Sequence, residues 1–462
     1  MLFPTLAFGL FFIAVYLLHW LTRPHPLVWR LVIFGSSLFF YAWWNWRFVF
    51  LLLWAVSSNW FAGEKIQRAL LSGKADVSRA WLRTAIASNL ALLGVFKYYD
   101  FFAMELANLL GSGESLPLLD FTLPVGISFF TFQATSYIID LHRRAIEPME
   151  FLDFAVYLSF FPQLVAGPIV RASEMAPQIS QSPDPRYLAA SEAFQLILRG
   201  LFKKVVVSSW LASNLVDDVF ANPSAHNGTD VLIGVYSYAI QIYADFSGYT
   251  DIAIGLALLL GFRFPVNFDQ PYRALSLRDF WRRWHITLST WLRDYLYIPL
   301  GGNKGSRIFT QRNLLLTMAL GGLWHGSTWN FVLWGLIHGF ALVLERSIPI
   351  AKSHPVIRWM FTFHVVCFAW IFFRAESLSK SVDVLTAIFL SSGGNEVPSF
   401  AAITLVAAAL AMQFFPRMLS EKTDATFDRC NVVTQGLIFG LGVLLIDALG
   451  PDGVAPFIYF QF

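Results

Sequence analysis

The residue with the strongest claim to acid–base chemistry is His325, which lies in the stretch GGLWHGSTWN at residues 321–330. Apolar residues flank this stretch, from 313 to 320 and from 331 to 344. An imidazole can accept and return a proton near neutral pH, and an ionisable group at membrane depth usually serves a function. We therefore predict that His325 is a general base in a cavity. The alternative is a structural histidine, neutral and hydrogen-bonded to Ser327, Thr328 or a backbone carbonyl.

Two glycines, Gly321 and Gly322, come shortly before this histidine. Glycine permits conformations that break a helix, and irregular backbone is tolerated at membrane depth where it lines a cavity or is covered by protein. The pair therefore predicts a broken span between residues 313 and 344. His338 follows in the same stretch, aligned at helical spacing with Asn330 and Trp334. For His338 we expect a packed, hydrogen-bonded core role.

A second candidate for chemistry, His285, lies in a basic segment that runs from residue 263 to 312. The core of the segment, LRDFWRRWHITLSTWLRDYLYIPLGGN at residues 277–303, predicts an amphipathic helix. One face holds Trp281, Trp284, Leu288, Trp291 and Tyr295, and another holds Arg278, Arg282, His285, Ser289 and Arg293. Two roles stay open for this helix: it lies on anionic lipid, or its arginines bind a phosphate-bearing donor at a cytoplasmic mouth.

Two carboxylates interrupt another apolar stretch, YADFSGYTDIAIG at residues 243–255. Asp245 and Asp251 could relay protons or hold helices in register, and the pattern favours the structural role only slightly. We expect no metal site, because the nine histidines form no cluster with ligand spacing. A serine nucleophile elbow and a P-loop are also absent from the sequence. A reaction at a hydroxyl group must therefore use a mechanism that needs neither of these motifs.

The segments that carry these residues are membrane helices by composition. Hydrophobic residues make up 56% and charged residues 14% of the 462 residues, which is too apolar for a soluble chain of this length. We predict an all-α polytopic membrane protein, a single domain over residues 1–462, with about 10–13 crossings of roughly 20 residues each. Basic residues after the first and third spans place those loops in the cytoplasm. The first span is expected to remain as a helix and not to be cleaved.

Net charge and cysteine content argue against a nucleic-acid-binding protein and against a disulfide-stabilised or thiolate-metal protein. A net charge of +3 on so long a chain does not indicate a nucleic-acid partner. Cys367 lies in an apolar stretch and Cys430 in a polar one, so neither a disulfide framework nor a thiolate metal site is indicated. The partner that composition does predict is membrane lipid.

Taken together, these stretches resemble the membrane-bound O-acyltransferase family, in particular the bacterial branch typified by alginate O-acetyltransferase. The resemblance rests on RDFWRRWHITLSTWLRDYLYIPLGGNKGS and GGLWHGSTWNFVLWGLIHG. Supporting stretches are PVGISFFTFQ, QLVAGPIVR, DFSGYTDIAIG and NFDQPYRA. The motif-bearing core extends from Lys97 to Leu344.

The resemblance implies broken or re-entrant segments around a central tunnel, with His325 as the catalytic residue inside it. It also implies that His285 orients or polarises a thioester or steadies the developing charge. The donor, acetyl-CoA or another acyl thioester, would enter as a substrate, with no permanently bound cofactor. The expected donor-binding residues are Arg278, Arg282, Arg283, Arg293, Trp324 and Asn330.

For the alginate-type branch, the resemblance further implies a relay across the bacterial inner membrane. Acetyl groups would move toward the exterior, where a separate periplasmic acetyltransferase of the serine-hydrolase-like type places them on a polysaccharide. Direct transfer and an acyl-histidine intermediate both stay open. So do two other functions: D-alanyl transfer from a carrier protein to teichoic acid, and a non-enzymatic transporter or export component that uses Asp245, Asp251 and His325 for proton coupling.

Overall fold

The secondary structure is helical. The computed structural model describes residues 1–111, 118–347, 354–392, 400–451 and 457–458. Within these ranges there is no β-strand, and extended residues pair in one isolated bridge between Asn227 and Ser392. The prediction of an all-α fold is confirmed.

The chain divides into two compact units, residues 1–193 with 253–265 and residues 194–252 with 266–462. The first contains α1 (Leu6–Thr22), α2 (Pro26–Ala42), α3 (Phe48–Leu71), α4 (Ala75–Leu93), α5 (Tyr99–Leu110), α6 (Ile127–His142), α7 (Phe151–Ser159), α8 (Phe161–Leu164) and α9 (Ala172–Ser180). The second contains most of α10 (Ala190–Leu201), α11 (Ser209–Leu211), α12 (Asp217–Ala221), most of α13 (Gly228–Leu259), α14 (Leu277–Arg283), α15 (Ile286–Leu292), α16 (Arg307–His325), α17 (Trp329–Ser347), α18 (Pro355–Arg374), α19 (Leu378–Leu390), α20 (Phe400–Met412), α21 (Arg417–Asp428) and α22 (Val432–Leu449).

Two helices, α18 and α22, are long and apolar enough to cross a membrane by length and composition. Three others, α1, α2 and α20, are apolar but shorter. Along α22, Leu437, Leu441 and Leu444 are exposed, which gives this helix the apolar surface that lipid covers in a membrane protein. The number of crossings stays a prediction, as does the single domain.

Two pairs of polar side chains connect neighbouring helices in the first unit. The amides of Asn59 on α3 and Asn89 on α4 donate to each other at 2.9 Å. Arg30 on α2 forms an ion pair with Asp153 on α7 at 2.6 Å. Because such pairing satisfies groups that would otherwise lose water, these contacts join neighbouring helices without leaving a reactive group.

Glycine controls the packing of α16 on α17 in the second unit. A Cβ at Gly322 would lie 2.1 Å from the Phe331 carbonyl oxygen, and a Cβ at Gly335 would lie 2.1 Å from that of Met318. These pairings run in opposite directions along the two helices, so α16 and α17 form an antiparallel hairpin. No side chain larger than hydrogen fits at either position.

The predicted break between residues 313 and 344 is present, but its predicted position at the glycine pair is wrong. α16 continues without interruption through Gly321 and Gly322 and ends at His325. The chain turns only afterwards, with extended backbone at Gly326, before α17 begins at Trp329. Gly322 thus permits close contact between helices, and the break lies on the far side of the histidine.

The prediction of one amphipathic helix that begins near residue 277 and is ended by Pro299, Gly301 and Gly302 is also wrong. α14 ends at Arg283, Trp284 is extended, and His285 has left-handed backbone with φ +41° before α15 begins. The cause is Asn267, whose backbone carbonyl accepts the Ile286 N–H at 2.9 Å. The break turns His285 away from the polar face and into the interior, where it is fully buried.

Candidate active site

His325 lies at the C-terminal end of α16 among aromatic rings. Its ring centroid is 5.0 Å from Trp324, 4.9 Å from Trp334 and 5.3 Å from Phe373, all in edge-on geometry. The side chain is buried. Since α16, α17 and α18 each contribute one of these rings, the position of the imidazole depends on three helices. Such packing holds the imidazole in place and excludes bulk water from it.

His285 is held by Asn267. The Nδ1 atom of His285 lies 3.1 Å from Oδ1 of Asn267, which also accepts the Thr287 backbone N–H at 3.1 Å and the Thr287 hydroxyl at 2.9 Å. Because a backbone N–H can only donate, this Asn267 atom is the amide oxygen, and Nδ1 of a neutral His285 must carry the proton. The other ring nitrogen, Nε2, then presents a lone pair.

The surroundings of His285 keep this imidazole neutral. Burial lowers the pKa of His285 to about 3, because the protonated ring would lose its hydration. Phe246 contacts the ring edge-on at 4.7 Å, and Phe268 is stacked at 6.4 Å. Nε2 is buried and has no hydrogen-bond partner among the described residues. A lone pair aimed into a low-dielectric interior can accept a proton or a hydrogen bond from a bound molecule.

Trp324 joins the two histidines predicted from the sequence. Its ring centroid is 6.2 Å from His285 and 5.0 Å from His325. We call His285, Trp324 and His325 the histidine cluster. Residues that lie 40 positions apart in the sequence are thus brought to one indole ring.

The four arginines predicted to bind a donor differ in their surroundings. Arg283 is engaged, with Nε 2.9 Å from Asp279 Oδ1 and a terminal nitrogen 3.3 Å from Asp269 Oδ2. Arg293 forms an ion pair with the neighbouring Asp294 at 2.6 Å and is exposed. Arg278 and Arg282 are exposed one turn apart on α14.

Asn330, also predicted to bind the donor, is buried in a helix junction. Its amide nitrogen donates to the Ala375 carbonyl at 2.7 Å and lies 3.3 Å from the Ser381 hydroxyl. These contacts tie the start of α17 to the connection between α18 and α19. The structure therefore gives the Asn330 amide nitrogen a structural partner.

Asp245 and Asp251 are both paired with lysines that the sequence reasoning missed. Lys203 Nζ lies 2.7 Å from Asp251 Oδ2, and Lys204 forms an ion pair with Asp245. A Cβ at the nearby Gly200 would meet the Gly248 carbonyl oxygen at 2.5 Å, so the two segments touch between the ion pairs. We call the two ion pairs the lysine–aspartate crossing. The adjacent lysines in LFKKVVVSSW were the available signal, since two buried cations need two anions.

Other residues near the histidine cluster were also missed. Asn267 stands 18 positions before the histidine that it holds, and no short motif marks that pairing. Trp281 contacts Trp334 at 5.8 Å and His338 at 5.2 Å. Among the residues that the structure describes, no group of three or more His, Cys, Asp or Glu is placed to hold a metal ion.

The chain is similar in sequence to known acyltransferases. The chain is 37% identical to the probable alginate O-acetylase AlgI of Pseudomonas putida over 94% of both chains. It is 39% identical to the peptidoglycan O-acetyltransferase of Helicobacter pylori over 78% of this chain and 74% of that protein. A teichoic acid D-alanyltransferase of Streptococcus thermophilus is more distant, at 31% identity over 48% of this chain and 57% of that protein.

A family model covers most of the chain. The description of the matching family is MBOAT, membrane-bound O-acyltransferase, and the match extends over residues 30–375. That range includes the histidine cluster, the lysine–aspartate crossing and the hairpin of α16 and α17. The chain, an acyltransferase, therefore belongs to the membrane-bound O-acyltransferase family.

Proposed function

We propose that this protein is a multi-pass acyltransferase of the bacterial inner membrane that moves acetyl groups from a cytoplasmic thioester donor, acetyl-CoA, toward the exterior. There the acetyl groups serve the O-acetylation of an exported polysaccharide such as alginate. The observation that carries the proposal is the histidine cluster, in which two buried imidazoles contact one indole. The relatives named for alginate and peptidoglycan O-acetylation support the choice of acetyl as the transferred group.

In the proposed reaction His325 acts as a general base. The oxygen of an acceptor hydroxyl attacks the thioester carbonyl carbon while His325 takes the hydroxyl proton. The tetrahedral intermediate then collapses, the carbon–sulfur bond breaks, and the leaving thiolate receives that proton from His325. Donor and acceptor become thiol and acetate ester, and the histidine returns to its starting state.

The tautomer of His285 narrows the role of this residue. Polarising a carbonyl or stabilising an oxyanion requires an N–H donor. With Nδ1–H donated to Asn267, the neutral ring offers only the Nε2 lone pair. We therefore assign His285 to accepting a hydrogen bond from an N–H or O–H of the bound substrates other than the attacking hydroxyl, whose single proton goes to His325.

At the donor side we assign Arg278 and Arg282 to the phosphate groups of acetyl-CoA. Both are exposed on α14, and guanidinium groups suit phosphates through planar, paired hydrogen bonds. Arg293 contributes less because Asp294 neutralises its charge, and Arg283 positions the segment through its two aspartates. Trp324 lines the path to the histidines. A periplasmic acetyltransferase of the serine-hydrolase-like type receives the acetyl group.

The proton-coupled transporter is less well supported. That function needs a carboxylate that gains and loses a proton during transport. Asp245 is paired with Lys204 and accepts the Ile458 backbone N–H at 2.8 Å, and Asp251 is paired with Lys203. Each carboxylate is therefore already engaged by a lysine in the structure.

The test of the proposal is acetyl transfer from radiolabelled acetyl-CoA in proteoliposomes that hold the chain and the periplasmic acetyltransferase. In His325→Ala we expect transfer to fall by a factor of about 100 or more, with donor binding retained, because a general base contributes about 10²–10⁴. Undiminished transfer would leave His325 with a structural role.

A matched control is His364→Ala. His364 is an exposed histidine on α18, hydrogen-bonded to Tyr236 at 2.9 Å, and we expect its removal to leave transfer unchanged. A D-alanyl-carrier donor tests the teichoic-acid alternative in the same vesicles. Label transfer from that donor alone, with none from acetyl-CoA, would replace acetyl by D-alanyl as the transferred group.

A further inference from the structure

Next to the histidine cluster, Trp281, Trp334 and His338 form a second buried group of rings. Their centroids are 5.8 Å, 5.2 Å and 5.0 Å apart in pairs, so each ring contacts the other two. Trp281 belongs to α14 and the other two to α17. The Leu277 N–H at the start of α14 donates to the Glu345 carboxylate of α17 at 2.6 Å, which fixes α14 on that helix.

The polar atoms of these three rings are not hydrogen-bonded to any residue that the structure describes. The indole nitrogens of Trp281 and Trp334 and both ring nitrogens of His338 are buried, and none has a hydrogen-bond partner among the described residues. His338 is 0% exposed and Trp334 is 1% exposed. The expectation of a hydrogen-bonded core histidine is therefore not met. Four unpaired polar atoms at one place are unusual, because buried polar groups normally find partners.

The chemistry of the group indicates what kind of molecule would satisfy it. A neutral histidine and two indoles supply three N–H donors and one lone pair. The rings packed around them include Phe280, stacked on His338 at 6.0 Å, and Trp370, stacked on Trp334 at 5.8 Å. A phosphate would lose its hydration there at high cost, whereas an uncharged carbonyl oxygen accepts N–H donors and tolerates aromatic walls.

Members of the ring group neighbour residues that we assign to the two ends of a thioester donor. Trp281 lies on α14 between Arg278 and Arg282, which we assign to the phosphates. Trp334 contacts His325 at 4.9 Å. Between its phosphates and its thioester, acetyl-CoA carries an arm with two amides. The ring group thus contains one residue on the helix that carries the phosphate-assigned arginines and one residue in contact with His325.

We propose that Trp281, Trp334 and His338 are a donor subsite that binds a carbonyl oxygen of the acyl donor, an arm amide or the thioester itself, and so positions the donor beside His325. This inference rests on the proposed function. In it the three residues are positioning residues, and no bond is made or broken at them.

The test is His338→Phe, which keeps a ring and removes both nitrogens. Without donor, we expect the thermal midpoint of the purified protein to stay the same or rise, since unpaired buried polar atoms are lost. The stabilisation caused by acetyl-CoA should shrink. In proteoliposomes, KM for acetyl-CoA should rise about tenfold with kcat within about twofold, as expected when an interaction common to bound and transition states is removed.

A second donor distinguishes the two carbonyl sources. Ethyl thioacetate has a thioester but no amide. If the subsite binds an arm amide, parent and His338→Phe will use ethyl thioacetate equally well. If the subsite binds the thioester, KM for both donors will rise in the variant. Trp281→Phe, which removes one N–H, should raise KM for acetyl-CoA in the same direction by a smaller factor.

The control is His364→Phe, the same exchange at the exposed histidine of α18, for which all values should equal those of the parent. An unchanged KM for both donors in His338→Phe overturns the inference. So does a lowered thermal midpoint without donor combined with a loss of kcat alone, which is the result of a structural role. If the parent itself shows neither stabilisation by acetyl-CoA nor transfer from it, the proposed function has failed and not the subsite alone.

Discussion

The lysine–aspartate crossing and the histidine cluster are both buried polar groups in the second unit. They differ in whether their polar atoms have partners. In the crossing, each carboxylate has a lysine, and Asp245 also accepts a backbone N–H. In the cluster, His285 has one partnered nitrogen and one without a partner among the described residues. Opposite charges satisfy the first group, whereas the second leaves a lone pair that we propose a bound molecule satisfies.

The comparison shows how structural and functional polarity can be told apart inside an apolar protein. Burial alone does not separate them, because Lys204, Asp245, His285 and His325 are all buried. The partners do. A charge that has lost water must be paired in place, whereas a neutral imidazole can stay unpaired until a substrate binds. Substitutions in the two regions should therefore affect different properties.

The largest expected effect on stability is that of Lys204→Met. Removing one partner leaves Asp245 charged and unpaired in the interior, which costs about 3–5 kcal/mol. The double variant Lys204→Met with Asp245→Leu should recover most of this loss, because both charges are gone. The free energy of unfolding of the detergent-solubilised protein measures both effects.

Lys203→Met is the matched comparison within the crossing. Its ion pair with Asp251 is more exposed, with side-chain exposures of 28% and 20% against 2% and 4% for Lys204 and Asp245. Solvent screens the more exposed pair, so the loss should be about 1 kcal/mol. Equal losses in the two single variants would contradict the view that burial makes the Lys204 pair the structural one.

Gly322→Ala tests whether the histidine cluster depends on the close packing of α16 against α17. The new methyl would meet the Phe331 carbonyl oxygen and push α16 from α17, at about 1–3 kcal/mol. Because His325 ends α16, acetyl transfer should fall as well. Gly440→Ala on α22 is the control, since open space surrounds that position, and it should be neutral or stabilising by up to about 1 kcal/mol. Wild-type transfer in Gly322→Ala would separate the hairpin contact from the chemistry.

A further prediction concerns the dependence of stability on pH. The pKa of His285 is about 3 in the folded protein against 6.5 for the free group. Between these values the unfolded chain binds more protons, so this contribution is complete above pH 6.5 and is lost as the pH falls toward 3. The comparison variant is His285→Asn, because asparagine tolerates the left-handed backbone. Relative to this variant, the free energy of unfolding of the parent should fall by at most about 1.4 kcal/mol per pH unit in this window. Parallel unfolding curves for parent and variant would show that His285 is not buried in its neutral form.

Much of the architecture could be predicted from the sequence. The apolar composition predicted an all-α membrane protein, and the motifs around His285 and His325 indicated the family. Predictions from local sequence pattern were wrong where residues distant in the sequence determine the backbone conformation. Asn267 redirects the chain at His285, so a helix that is regular by periodicity is broken in the structure. Gly322 was assigned to a break because its neighbour in space, Phe331, cannot be inferred from helical spacing.

The sequence by itself determined which residues can do chemistry. These are the histidine of the GGLWHGSTWN stretch, His325, and the histidine of the basic segment, His285, each within an acyltransferase motif. The tertiary structure alone decided which polar groups are satisfied. It pairs Asp245 and Asp251 with lysines, fixes the proton on Nδ1 of His285 and leaves the nitrogens of His338 without partners among the described residues. The physical reason is that hydrogen bonds and ion pairs depend on distances of about 3 Å between atoms, which only the packing of distant helices sets.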